Sequence, residues 1–201
     1  MSNAESVRSM VLDTLSKKPT HGEERRSYLQ KLASLYVPQT VRVDFDSTIQ
    51  TANCSYQDGE YQINFRGEKL PVAAVPPKYR ELTRTMSTEE YQAFFDTLMQ
   101  DGFLYHEVGH VLFSDFDDLQ QVLEKQSLQR RSQLQRLINS YEDAVIEAYL
   151  REVYPDATMI LSAKNELKAF IYSDGSPKDR LKQTYGTAGS VAVASIVAQE
   201  Y

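Results

Sequence analysis

The sequence predicts an α+β fold in which a small sheet is followed by a mainly helical region. Three observations predict it. Strict alternation of apolar and polar residues is confined to residues 41–66, a stretch that also holds the strongest turn signal in the chain, Asp58-Gly59. From Ser87 onward the apolar residues recur at spacings of three and four, the period of a helix. The chain has 201 residues, enough for one domain with a sizeable core.

The elements follow in order along that single domain of 1–201, with helices over 1–40, strands over 41–66 and helices over 87–201. Val7, Met10, Val11 and Leu15 fall at helical spacing. Thr20 with Glu23 has the form of a capping box for a second helix carrying Tyr28, Leu29, Leu32, Leu35 and Tyr36, which Pro38 stops. Val41, Val43 and Phe45 make a half-buried strand. Cys54 and Tyr56, with Tyr61, Ile63 and Phe65 across Asp58-Gly59, make a hairpin, so the small sheet is expected to be antiparallel. Pro71, Pro76 and Pro77 mark a surface loop over 67–79. Ser87 with Glu90 is another capping box, opening a helix that Asp101-Gly102 is expected to break or re-angle near Met99. Helices are expected from Phe103, around Phe116, Leu119, Val122 and Leu123, from Ser127 to Val153 before Pro155, from Ser162 to Tyr172, and from Pro177 onward.

Composition narrows the function classes. The net charge is −6 and the densest basic patch is Arg130-Arg131, which argues against nucleic acid as the main partner. No run of apolar residues is long enough to span a bilayer, so no membrane partner is expected. No secretory signal is visible, and the single cysteine, Cys54, suits a reducing compartment; a cytoplasmic location is the expectation. Cys54 itself reads as a small apolar strand residue.

The chemistry lies in His106-Glu107-Val108-Gly109-His110. On a helix, residues at i and i+4 project from one face, so both imidazoles can reach one Zn²⁺. Glu107 is offset from that face, badly placed to ligate but able to reach a water at the metal and take its proton. The chain has 3 His, and this segment uses two of them. Phe103, Leu104, Tyr105, Val111, Leu112 and Phe113 flank it, which predicts a buried helix whose histidines need partners. His21 is remote and reads as part of a capping segment.

A catalytic zinc usually takes three protein ligands and leaves a position open. Phe113 and Phe116 stand where a compact extension of the motif would place Gly and His or Asp, so the third ligand must come from another helix. The long helix offers Glu142 and Asp143. Glu142 falls on the apolar stripe of Leu134, Ile138, Val145 and Tyr149, where a carboxylate is costly unless something cationic receives it; it is the first choice, and Asp143 the alternative. Asn139, Asp143 and Glu147 share an adjacent polar line that can supply hydrogen bonds to a ligating histidine or simply face solvent. Asp115 either orients a ligand or caps the following helix. The tyrosines Tyr105, Tyr141, Tyr149, Tyr172 and Tyr185 are candidates to stabilise an oxyanion.

The segment His106–Asp115, with Asn139–Glu147 downstream, resembles the gluzincin group of zinc metallopeptidases. It looks most like the metallopeptidase domains found beside von Willebrand A domains and related to cobaltochelatase subunits. The resemblance covers about Phe103 to Tyr149 and implies a zincin-like fold. It also implies zinc held by His106, His110 and Glu142, and Glu107 as catalytic base. An edge strand that takes extended peptide is implied as well, with the hairpin Cys54–Phe65 as candidate. It further implies a partner domain or protein of von Willebrand A type. One departure is that Ile146 stands where thermolysin-like members carry an acidic residue, which leaves Asp143 open as ligand.

Hydrolysis of a peptide or protein substrate is therefore the expected function. The alternatives are a zinc-containing interaction or assembly module without turnover, and a zinc hydrolase of another amide or ester.

Overall fold

The computed structural model describes residues 18–49, 51–66 and 86–171. Within them run α1 (Gly22–Tyr36), β1 (Val41–Asp46), β2 (Ala52–Gln57), β3 (Glu60–Arg66), α2 (Thr88–Phe113), α3 (Phe116–Glu124), α4 (Leu128–Val153) and α5 (Pro155–Ile171). This is the α+β order expected. The expected helix around Val7–Leu15, the proline loop 67–79, the helix from Pro177 and the residues Tyr172 and Tyr185 lie outside the described residues.

The hairpin forms where expected. Asp58 and Gly59 both take positive φ, 54° and 84°, the turn geometry that matches the twist of the flanking strands. The sheet, however, is mixed rather than antiparallel: its order is β1-β3-β2, with β1 parallel to β3 and β2 antiparallel to it. The physical reason lies in which hairpin strand carries more apolar surface. β3 contributes Ile63 and Phe65, both essentially buried, whereas β2 offers the smaller Ala52 and Cys54, which stay half-exposed. Placing β3 centrally sets Val43 beside Ile63 and Phe45 beside Phe65 on the face that packs against the helices. Among the described residues β2 is left as an edge.

α1 packs on this sheet through Leu29 and Ala33. Its N-cap is His21, so the Thr20–Glu23 box does not form. The Thr20 hydroxyl lies 2.8 Å from His21 Nδ1, and Glu23 is paired with Arg26. Arg25 is fully buried and reaches α2, donating to Asp101 Oδ1 at 2.7 Å, to the Thr97 carbonyl at 3.0 Å and to Gln100 Oε1 at 2.8 Å.

That clasp explains a third difference. α2 runs unbroken for 26 residues through Asp101-Gly102, from the Ser87–Glu90 capping box, which forms as expected. Asp101 is held by Arg25 and by Lys18 Nζ at 2.6 Å, so its carboxylate is not available to stabilise a turn. Gly102 marks a close approach: a Cβ there would lie 2.5 Å from Lys164 Cβ on α5. α5 also begins earlier than Ser162, at Pro155, whose missing N–H costs nothing in a first helical turn. No helix among the described residues is long and apolar enough to cross a membrane.

Candidate metal centre

The motif occupies the C-terminal part of α2, where every residue from Asp101 to Gly109 is buried. The i and i+4 spacing places the His106 and His110 rings side by side, centroids 5.0 Å apart and nearly perpendicular at 88°. Gly109, between them in sequence, lets α4 cross the helix closely. A Cβ at Gly109 would fall 2.2 Å from Ile146 Cγ2 and 2.8 Å from Leu150 Cδ1. One turn before Ile146 on α4, this contact delivers Asp143 to the histidine pair.

Asp143 Oδ1 lies 3.5 Å from His106 Nε2 and 3.3 Å from His110 Nε2. One ligand atom from each of these three residues fits within 4.8 Å of the others. The remaining ring nitrogens face different groups. His106 Nδ1 has Glu147 Oε1 at 3.1 Å, a short contact that falls outside good hydrogen-bond alignment and leaves this buried nitrogen without a well-directed acceptor. His110 Nδ1 has Ser114 Oγ at 3.0 Å and Glu142 Oε1 further off at 3.9 Å. Ser114 is there because it ends α2, its backbone N–H closing on the His110 carbonyl.

The expected apolar stripe of α4 is out of phase. Tyr149 is 50 % exposed and stacks on Phe113, while Ile146, Glu147 and Leu150 are the buried residues. The contacts with α2 and α5 thus run through Asp143, Ile146, Glu147 and Leu150: the Glu147 carboxylate is partnered across the interface, whereas Asp143, its side chain still 43 % exposed, faces both the histidines and the cleft. Glu147 is held by Lys164 Nζ at 2.6 Å and Asn165 Nδ2 at 2.6 Å. Asp115 accepts from the Asp118 N–H at 2.9 Å and so caps α3.

These contacts set the electrostatics. Burial works against the ionised form of Asp143, but its bonds to His106 and His110 outweigh it and hold the carboxyl well below its usual range. Glu147 is likewise depressed, burial being overcome by His106 and Lys164. For Glu142 the bond to His110 is the main cause of a lowered value. Burial disfavours the charged form of His110, yet Asp143, Glu142 and the charge of Glu107 together push it up to about 10. His106 also rises, against both burial and the Lys164 charge.

The histidines open onto a cleft of about 600 Å³. Glu107, 5 % exposed, is on its wall beside His106 and His110. Thr51 and residues 52–56 of β2 also line it, and α4 supplies Gln135, Asn139, Glu142 and Asp143. Cys54 lies here, its thiol pushed up by burial and by the charges of Glu107 and Glu142. Of the tyrosine candidates, Tyr105 is buried on Tyr36 with the two hydroxyls 2.8 Å apart, and Tyr141 and Tyr149 are exposed outside this cleft. Gln135 was not anticipated as a cleft residue, although counting back by four from Asp143 reaches Asn139 and then Gln135. Lys164 was also missed; its signal is its place on the stripe Ala157, Leu161, Lys164, where a buried lysine requires a carboxylate.

No protein-family model matches the sequence, and no match was found among the curated proteins or the solved structures.

Proposed function

We propose that the protein is a zinc metallopeptidase whose metal ligands are His106, His110 and Asp143. The observation that carries this reading is the convergence of both Nε2 atoms and Asp143 Oδ1 beside Glu107 on one open cleft. The donor set fits the ion: two imidazoles and one carboxylate suit Zn²⁺ and leave a coordination position for water. Each histidine also has an oxygen near its Nδ1, as ligating imidazoles require. Asp143 takes the place expected of Glu142, a departure from the gluzincin pattern. Glu142 instead approaches the outer nitrogen of His110.

When bound, zinc supplies Lewis acidity to a water and to the substrate carbonyl. Glu107 holds the proton released as water attacks and returns it to the leaving amine. The backbone of β2 favours a peptide over a small amide. Among the described residues β2 pairs on one side alone, and it runs along the cleft, so an extended chain can add to it by strand pairing. The Asn139 and Gln135 side-chain amides line the same cleft and can donate to a substrate carbonyl. A strand that precedes the motif helix and can take extended peptide is also what the resemblance to zincin-like metallopeptidases implies.

The test is metal analysis combined with proteome-wide cleavage profiling. The purified protein should hold about one zinc per chain, and Glu107→Gln should keep the zinc while losing the cleavages made by the wild type. Absence of zinc, or identical profiles for the two proteins, overturns the proposal.

A further inference from the structure

Behind the histidine pair lies a buried polar cluster that metal ligation alone does not account for. Lys164 is 1 % exposed, its side chain laid against Gly102 and its ammonium 5.8 Å from the centre of the Phe103 ring. It donates to Glu147 Oε1 at 2.6 Å, while Asn165 donates to Glu147 Oε2 at 2.6 Å. Two adjacent residues of α5 thus hold one oxygen each of a carboxylate on α4, and the oxygen taken by Lys164 is the one 3.1 Å from His106 Nδ1.

We infer that Lys164 and Asn165 are positioning residues that keep Glu147 within 3.1 Å of the otherwise unpartnered His106 Nδ1, near enough to accept its N–H once the ring turns to offer Nε2 to the metal.

The inference rests on the metal-centre reading above and adds α5 to that centre. Glu147 has a competing attachment on its own helix: Arg151, one turn on, reaches Oε2 at 3.4 Å from a partly exposed position. Without α5, that guanidinium draws the carboxylate toward solvent, and the Nδ1 side of the His106 ring loses the oxygen that faces it. Lys164 and Asn165 pull the other way. Gly102 is what allows it, since any side chain there would collide with the stem of Lys164. A carboxylate behind a ligating imidazole typically changes metal affinity by about 10–100-fold, and a residue that fixes the carboxylate shares in that effect.

The experiment is zinc affinity of the full chain, by competition with a chromophoric chelator, measured beside thermal unfolding of the metal-free forms. Lys164→Met should weaken zinc by roughly tenfold or more, and Asn165→Ala by a few-fold, on the scale expected for outer contacts to a ligand. The double variant Lys164→Met with Glu147→Leu separates positioning from mere packing. It removes both buried charges together, so the metal-free melting temperature should return to near the wild-type value. Zinc affinity should remain roughly tenfold or more below wild type, because His106 Nδ1 still lacks its acceptor. Recovery of affinity along with stability overturns the inference, as does wild-type affinity in both single variants. If Lys164→Met does not fold, Asn165→Ala and the double variant decide. A wild-type protein that binds no zinc is a different result and strikes the metal-centre reading itself.

Discussion

Asp143 Oδ1 stands 3.3 Å from His110 Nε2, on the side of the ring that His106 shares, whereas its neighbour Glu142 comes no nearer to His110 than 3.9 Å, at Nδ1. Consecutive helix residues differ by about 100° in direction, so only one of the two can face the space between the two Nε2 atoms. Asp143→Ala should therefore abolish stoichiometric zinc, lowering affinity by roughly a hundredfold or more. Glu142→Ala removes a carboxylate behind His110, where Ser114 Oγ remains at 3.0 Å, and should cost about tenfold or less. Chelator competition on the two variants checks this, and an equal loss, or the larger loss in Glu142→Ala, reverses the assignment.

Gly109 offers a test of how the two helices meet. Helix propensity alone favours Ala over Gly by about 1 kcal/mol. A new Cβ 2.2 Å from Ile146 Cγ2 is overpacking of a buried contact, which typically costs about 1–3 kcal/mol and pushes the helices apart. Gly109→Ala should thus be less stable than wild type despite its better propensity. Because Asp143 sits one turn before Ile146, zinc affinity should fall by about tenfold. Adding Ile146→Ala removes the nearer of the two clashing methyls, leaving Leu150 Cδ1 at 2.8 Å, and should restore part of that affinity. Unchanged zinc binding in Gly109→Ala would show that close helix contact does not place Asp143.

What could be read from the sequence were the features whose cause is local. Asp58-Gly59 turns because those two residue types tolerate positive φ, and Ser87 with Glu90 caps because the reciprocal bonds span three residues. The histidine pair is legible for the same reason, its geometry being a property of one helical turn. The errors arose where distant partners decide. Asp101-Gly102 has the composition of a turn, but Arg25, 76 residues away, holds Asp101 inside a helix. The polar line Asn139, Asp143, Glu147 resembled a wet face because the histidines, Lys164 and Asn165 that receive Asp143 and Glu147 come from other helices. The preference for Glu142 over Asp143 as a ligand rested on a stripe that ran on to Tyr149, which is exposed. The pairing of β1 with β3 depended on comparing total burial of two strands, which alternation within each strand does not reveal.

The metal-free protein should show a distinctive dependence of stability on pH. In the folded chain His110 is raised from 6.5 to about 10 and His106 is raised too, as their carboxylate partners outweigh burial. A group raised on folding contributes stability that is complete below its unfolded value and is lost as pH climbs through the folded one. Asp143, Glu142 and Glu147 are lowered from 3.8 or 4.5, so their contribution is complete above those values and is lost as pH falls. The window in which both sets contribute fully lies between 4.5 and 6.5. Thermal melting in a chelator should accordingly peak in that interval and decline steadily toward pH 10. Zinc inverts the alkaline side, since it binds neutral imidazole and its affinity increases as competing protons leave. The melting temperature of the zinc-loaded protein should hold or rise from pH 6.5 to about 8, and the gap between the two curves should widen with pH. Parallel curves over that range would mean that His106 and His110 do not exchange protons for metal, and the centre would have to be sought elsewhere.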